Sequence, residues 1–436
     1  MNSRSKNLTK YVLPTVIGNC CFFLFTIIDG IFVGHGVGTD ALGAVNLVMP
    51  FVMTVNALFM LTTIGGITVT AIRLGRGDHA GANQAFMHSL TGTLALAILL
   101  CLAGTLLSTP LTRLLGADNT YFDMVRDYLF WYSLFIIPSG LSVTLQGFCR
   151  NDGAPVLVSA AVIVSTVCNI FGDWLFVFPL NMGLKGAAIA TGISQTIALG
   201  VVLLHYIKKS GRLQFHSFHP DFSLYRKIAG RGLPETVAQF ATPIATLCTN
   251  HVLLIYLGSI AVNAYSIICY VASFSVAIFF GTAGGLQPLF GQNYGAKNEK
   301  ELKFYFHAGV VINLVSSVLI TILLFFVGDT VCALFGADTE TLRCTVENMP
   351  YYSWGFILAS LNTLISAYLY STKRTKEALT LNVCRSFLCN TLVILALPAV
   401  FGASAVWLTF GVYETLTLGI AYALYRYSER NGVVFR

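Results

Sequence analysis

The sequence predicts an all-α polytopic membrane protein. Its twelve transmembrane helices form two parallel six-helix lobes related by a pseudo-two-fold axis along the membrane normal. Three observations carry this. The 436 residues are 56% hydrophobic and only 10% charged, where a soluble domain carries about a quarter. The apolar residues gather in runs long enough to cross a bilayer, for which ~20 suffice. The chain also repeats itself at an almost constant spacing.

The apolar runs place helices over 11–34, 46–73, 83–108, 124–149, 156–178 and 185–208, then 227–256, 262–288, 300–327, 343–371, 376–400 and 404–427. Connections are short and rich in Gly, Asp, Asn and Pro. The longest polar one, "KKSGRLQFHSFHPDFSLYRK", divides the chain nearly in half. This gives an N-terminal lobe over 1–210, an inter-lobe loop over 211–226 and a C-terminal lobe over 227–436. The basic "MNSRSKNLTK" leads into a run too long and too polar for a cleaved signal peptide, so it reads as an uncleaved first helix.

The net charge of +7 does not point to nucleic acid, because Lys and Arg sit in short clusters between apolar runs. With the N-terminus inside, the inner segments hold Arg4, Lys6, Lys10, Arg73, Arg76, Lys208, Lys209, Lys373, Arg374 and Lys376, among others. The outer segments hold Arg113, Arg126, Lys185 and Arg343. That asymmetry puts both termini in the cytoplasm.

The internal repeat is explicit. "LPTVIGNCC" at Leu13 matches "LPETVAQFA" at Leu233, and "LLGAD" at Leu114 matches "LFGAD" at Leu334, both 220 residues apart. Gly38, Ala41 and Ala44 pair with Gly258, Ala261 and Ala264 at the same offset. An even number of helices per copy returns the chain to its starting side, so the copies share one orientation. Two such lobes suggest alternating access around a central cavity.

Several chemistries are excluded. No GxxxxGK[ST] loop is present, so ATP is not the driver. The eleven Cys lie mostly inside apolar segments, as small hydrophobes, and no disulfide is expected. No Cys/His metal spacing and no nucleophile–base arrangement appears. The expectation is a transporter, not an enzyme, with no cofactor beyond a coupling ion.

"IIDGIFVGHGVGTDALGAVNLVMPF", "RLGRGDHAGANQAF", "GQNYGAKNEKEL" and "CNIFGDWLFVFPLNMGLKGAAIATGISQ" resemble, in order, stretches of the multidrug and toxic compound extrusion (MATE) family. "QPLFGQNYGAK" is similar to the bacterial subgroup that includes staphylococcal-type drug exporters. The resemblance covers nearly the whole chain. It implies secondary active antiport: export of amphipathic, often cationic compounds against entry of H+ or Na+. It also implies a monomer in the bacterial cytoplasmic membrane, surrounded by lipid.

Asp29 and Asp173 each lie about five residues before the outer end of an outward-running helix, hence ~8 Å below it. Asn169 is one turn deeper than Asp173 on the same face, and Thr191 falls at a similar depth. The resemblance places an N-lobe cation site on Asp29, Asn169, Asp173 and Thr191, holding H+ or Na+. Two close carboxylates cannot both stay ionised in a dry site. The resemblance also implies that helix 1 bends with the ionic state of its acid, which makes Pro14 the candidate hinge; a plain kink is the alternative.

The second lobe departs from this pattern. The offset takes Asp29 to Thr249 and, at 221, Asp173 to Ile394. Glu414 and Arg385 fall near the midplane on adjacent helices and form either a buried ion pair or a cation-attracting cavity wall. Gln195 is the counterpart of Glu414. Further cavity candidates are Phe25, Met49, Met53, Tyr132, Tyr265, Phe274 and Tyr368, because Met and aromatic groups suit varied cationic ligands. The runner-up function is a lipid-linked precursor flippase of the same superfamily; it would need a cationic cavity for pyrophosphate, and Arg385 alone is a helix-buried cation, which counts against it.

Overall fold

The computed structural model describes residues 3–37, 39–115, 117, 122–217, 219–333 and 339–430, although some side chains in the helices, including Phe25 and Asp29, lie outside that description. The described backbone is helical, without strands. The helices are α1 Ser3–Gly36, α2 Thr39–Gly75, α3 His79–Leu106, α4 Ser108–Leu114, α5 Phe122–Leu134, α6 Ile136–Asn151, α7 Pro155–Val177 and α8 Gly183–Ile207. They continue as α9 Phe222–Leu257, α10 Ser259–Gly295, α11 Glu299–Ala333, α12 Thr339–Ser353, α13 Gly355–Ser371, α14 Thr375–Val383, α15 Asn390–Phe401 and α16 Thr409–Arg430. Each of the twelve expected spans has its helix or helix pair. Among the described residues seven stretches are long and apolar enough to cross a bilayer alone, and α5 with α6 make an eighth, bent by 51°.

The breaks have causes. Pro138 stands in the first turn of α6, where it cannot donate to the carbonyl four residues back and its ring crowds that turn. The chain breaks at Phe135. The second copy breaks at Trp354, just after Pro350. In both copies the ring at the break seats over a glycine of the last helix. A methyl group on Gly192 would lie 2.0 Å from the Phe135 ring, and one on Gly411 2.0 Å from the Trp354 ring. The caps repeat as well. Asp78 Oδ1 accepts from Gly81 N–H at 2.8 Å ahead of α3, and Asn298 Oδ1 accepts from Glu301 N–H at 3.2 Å ahead of α11.

The chain divides into two compact units, Met1–Thr236 and Val237–Arg436, with the division inside α9. The segment over 211–226 belongs with the first unit for a visible reason. Asp152, buried at the end of α6, accepts from the backbone N–H groups of Arg212 (2.8 Å) and Leu213 (3.3 Å) and pairs with His205 Nε2 at 2.9 Å. Asn83 Oδ1 accepts from Gln214 N–H at 2.8 Å, and His88 Nε2 accepts from Asp221 N–H at 2.8 Å. Leu213 is 1% exposed, among Phe86, Phe148 and Tyr206. The start of α9 continues this packing: a methyl group on Gly65 would lie 1.9 Å from the Ile228 carbonyl oxygen.

Candidate functional site

Small residues let α7 and α8 approach closely. A methyl group on Gly172 would stand 3.0 Å from Ala190 Cβ, and one on Gly186 2.9 Å from Phe176 Cβ. Asn169 and Asp173, four apart on α7, therefore face α8 as one polar step. Both are buried, at 1% and 0% exposed. With its amide turned to satisfy both ends, Asn169 donates to Asp173 Oδ2 at 3.2 Å and accepts from Thr191 N–H at 3.1 Å. Turned the other way it donates to Thr191 Oγ1 at 3.4 Å. Either way the amide ties the two helices at the level of the acid. Gln195 follows Thr191 by one turn and is half-buried.

Asp29 lies on α1 with its side chain outside the described residues, as does Phe25. The surrounding register is described. Val33, one turn after Asp29, shares a buried cluster with Val177, one turn after Asp173. α1 packs along α7 and runs through Pro14 as a single helix. The Ser159 hydroxyl on α7 donates to the Pro14 carbonyl, and also to that of Pro155 at 3.2 Å. Nothing in the sequence singled out Ser159.

The equivalent level of the second unit lacks the acid and the hydroxyl and keeps the asparagine, as buried Asn390. Ile394 is 1% exposed, and Phe410 stands where repeat alignment through Gly192 and Gly411 puts Thr191. Thr249, the counterpart of Asp29, is buried and hydrogen-bonds Tyr265, which also bonds Tyr352. The charge of this unit sits elsewhere. Arg385 reaches Glu414 through Nη2 (2.8 Å) and Nε (2.9 Å). It also donates to Thr363 Oγ1 at 3.2 Å. Asn362 donates to Glu414 Oε2 at 2.7 Å and to its backbone carbonyl at 2.9 Å. Glu414 is 1% exposed and the Arg385 side chain 21%. These two groups form the ion pair that the sequence left as one of two readings. Arg385 lies in a π-helical segment, Cys384–Cys389, that joins α14 to α15; such segments recur at functional sites. Asn362 and Thr363 were not foreseen, because a neutral polar pair in an apolar helix carries no mark of its partner.

The other cavity candidates are dispersed. Met53 and Phe274 are each 45% exposed. Tyr132 stacks on Tyr128 and meets Phe51 edge-on. Tyr368 is buried against Phe290 and Phe306. A groove of about 840 Å³ opens in the second unit near Tyr351, Leu397, Phe401 and Val412, and none of these candidates lines it. Among the described residues no three His, Cys, Asp or Glu side chains gather as a metal site.

A duplicated bundle of long apolar helices, with a buried Asp–Asn–Thr cluster in one copy, defines a multi-pass membrane protein. Comparison with known proteins gives its family. The MatE family model matches twice, over residues 14–175 and 234–395, which is the repeat itself at an offset of 220. The chain is 23% identical to the multidrug export protein MepA of Staphylococcus haemolyticus, over 98% of this chain and 94% of that protein. It is 22% identical to MepA of Staphylococcus saprophyticus, over 94% and 91%. An outward-facing multidrug resistance MATE transporter superposes with a TM-score of 0.93 at 20% identity, covering 99% of this chain and 96% of that one. A point mutant of the Vibrio cholerae MATE transporter VcmN gives 0.93 at 20%, covering 99% and 98%. The chain belongs to the MatE family, whose members are transporters and not enzymes.

Proposed function

We propose that this protein is a secondary antiporter that exports amphipathic, often cationic organic compounds from a bacterial cell in exchange for an inward-moving ion. The observation that carries the reading is the buried Asn169–Asp173–Thr191 cluster between α7 and α8. A carboxylate inside an apolar bundle is costly unless it serves ion movement, and this one has a neutral amide and a hydroxyl for company. The register of Val33 with Val177 supports Asp29 as a second member. Protonation of Asp173 would remove the charge that the Asn169 N–H now satisfies, and so loosen the tie to α8. Na+ would need the amide turned, with its oxygen toward the ion. H+ is taken as the coupling ion because one proton on Asp173 removes its charge without further ligands. Entry of the ion from outside loads the cluster, α1 moves about Pro14, and the substrate is released outward. Two names support the substrate class, since MepA of both staphylococci is called a multidrug export protein. The Lys and Arg distribution supports cytoplasmic termini in a cytoplasmic membrane. The unit of function is a monomer, and no cofactor is invoked.

The test is ethidium efflux from proteoliposomes under separately imposed H+ and Na+ gradients. The wild type should export under the H+ gradient, and Asp173→Asn should not. Unchanged export by Asp173→Asn would overturn the proposal.

A further inference from the structure

Arg374 has no place in the transport cycle, yet it is the largest fully buried side chain among the described residues, at 0% exposure. It sits in the turn between α13 and α14. Its backbone N–H donates to the Leu369 carbonyl at 2.9 Å, and its carbonyl accepts from Ala378 N–H. The side chain is a different matter. Among the described residues Nε, Nη1 and Nη2 all lack a hydrogen-bond partner, and no carboxylate there pairs with the guanidinium. What holds it is aromatic: its Cζ lies 5.5 Å from the Tyr368 ring centroid and 5.7 Å from that of Tyr425. Phe306 backs both rings, at 4.7 and 6.0 Å. The two ring centroids are 6.3 Å apart, so the rings flank the guanidinium at an angle, and neither offers an acceptor to the N–H groups that fork onto an oxyanion. A second donor in the same turn is also unsatisfied. Ser371, 0% exposed, has no partner for its Oγ among the described residues.

Guanidinium cannot shed its proton, so this charge cannot neutralise itself as a buried carboxylate would. Cation–π contact offsets part of the desolvation, but not the missing hydrogen bonds. The first unit solves the same turn oppositely. There the counterpart of Arg374 is Ala154, and the acid Asp152 gathers three donors. The second unit has gathered donors and, among the described residues, lacks the acceptor. Around the turn, Lys373 and the exposed Lys376 make an electropositive approach on the face that the charge distribution assigns to the cytoplasm.

We propose that the Arg374–Ser371 turn is a binding site for a phosphate-type oxyanion, supplied either by the headgroup of an anionic lipid or by free phosphate. The Arg374 N–H groups and the Ser371 hydroxyl hold the oxygens, Tyr368 and Tyr425 flank the guanidinium, and Lys373 and Lys376 attract the anion.

The test is thermal unfolding of the purified full-length protein in nanodiscs. One arm uses zwitterionic lipid with added sodium phosphate, with sodium chloride at equal ionic strength as the control. The other uses phosphatidylglycerol without phosphate. The wild type should gain about 3 °C in at least one arm over its control, and the arm that responds names the source. Arg374→Met, which keeps the length and loses the donors, should abolish the gain. It should also be at least as stable as wild type in zwitterionic lipid without phosphate. Ser371→Ala, a milder change, should reduce the gain. No gain in either arm, an equal gain with chloride, or a full gain in both variants would overturn the proposal.

Discussion

The two units are copies of one backbone with different chemistry inside. Several helix ends, the caps and the breaks recur 219 to 221 residues apart. α2 ends at Gly75 and α10 at Gly295, and the aromatic ring at each break rests on a glycine of the last helix. The acid and the hydroxyl do not recur, although the asparagine does. Asn169, Asp173 and Thr191 become Asn390, Ile394 and Phe410, while Gln195 becomes Glu414 and acquires Arg385. The backbone devices are therefore what the fold requires of each copy, and the charges are what each copy was left to specialise. On the proposed reading, the acid beside the neutral amide of the first unit is the one that exchanges its ion. The second unit's acid, clamped by a guanidinium and an amide, is not.

The largest expected effect breaks this contrast at the first unit. Asp173→Asn should bring coupled efflux to the level of protein-free vesicles while leaving the fold intact by circular dichroism. Arg385→Met should leave H+-driven export measurable, because it removes a structural partner. Export lost equally in both would mean that the second unit carries ions too.

Next comes the clamp. Glu414→Gln leaves the half-buried Arg385 charge without its acid and should cost about 1–3 kcal/mol, read as a lowered Tm. Arg385→Met with Glu414→Leu should recover most of that loss, since an apolar pair of similar size carries no desolvation penalty. A double variant no better than the single one would assign the pair a role beyond structure.

Gly192→Ala and Gly411→Ala test whether the shared devices weigh equally. Each methyl group meets a ring that must shift, and overpacking of this kind costs about 1–3 kcal/mol. Similar losses are expected in Tm. A loss of export beyond the loss of stability is expected only for Gly192→Ala, because Thr191 is its neighbour.

The fold was legible because hydropathy and repetition both survive in the sequence. All twelve apolar runs became helices, with ends moved by up to eight residues. The breaks at Phe135 and Trp354 were hidden inside continuous apolar runs, although Pro138 and Pro350 stood beside them. The Asn169–Asp173–Thr191 step could be placed because periodicity fixes the face and depth of a residue. The pairing of Arg385 with Glu414 was one of two open readings, and choosing between them needed the positions of Asn362 and Thr363. Arg374 was counted as one more cytoplasmic charge, since nothing in "STKRTKEAL" shows that Tyr425, some fifty residues on, closes over it. The strap from Arg212 to Asp221 was read as a plain loop, because its anchors Asp152, Asn83 and His88 are remote in sequence.

The smallest predicted effect concerns the turn before α11. Gly77 takes a left-handed φ of 77°, and its counterpart Lys297 takes 56° with a side chain attached. The same exchange occurs at Gly153, φ 94°, and Lys373, φ 66°. A Cβ in that region crowds the following carbonyl, at roughly 1 kcal/mol. Glycine avoids that contact but gives the unfolded chain more freedom, at about 0.4–1 kcal/mol. The net gain from Lys297→Gly should therefore be small and positive, a rise of about 1 °C in Tm, with transport unchanged. Lys297 is exposed and suits this test better than Lys373, which borders the proposed oxyanion site. A fall in Tm would show that the Lys297 side chain contributes more than its backbone costs. In that case the second unit has exchanged ease of backbone for charge even in its turns.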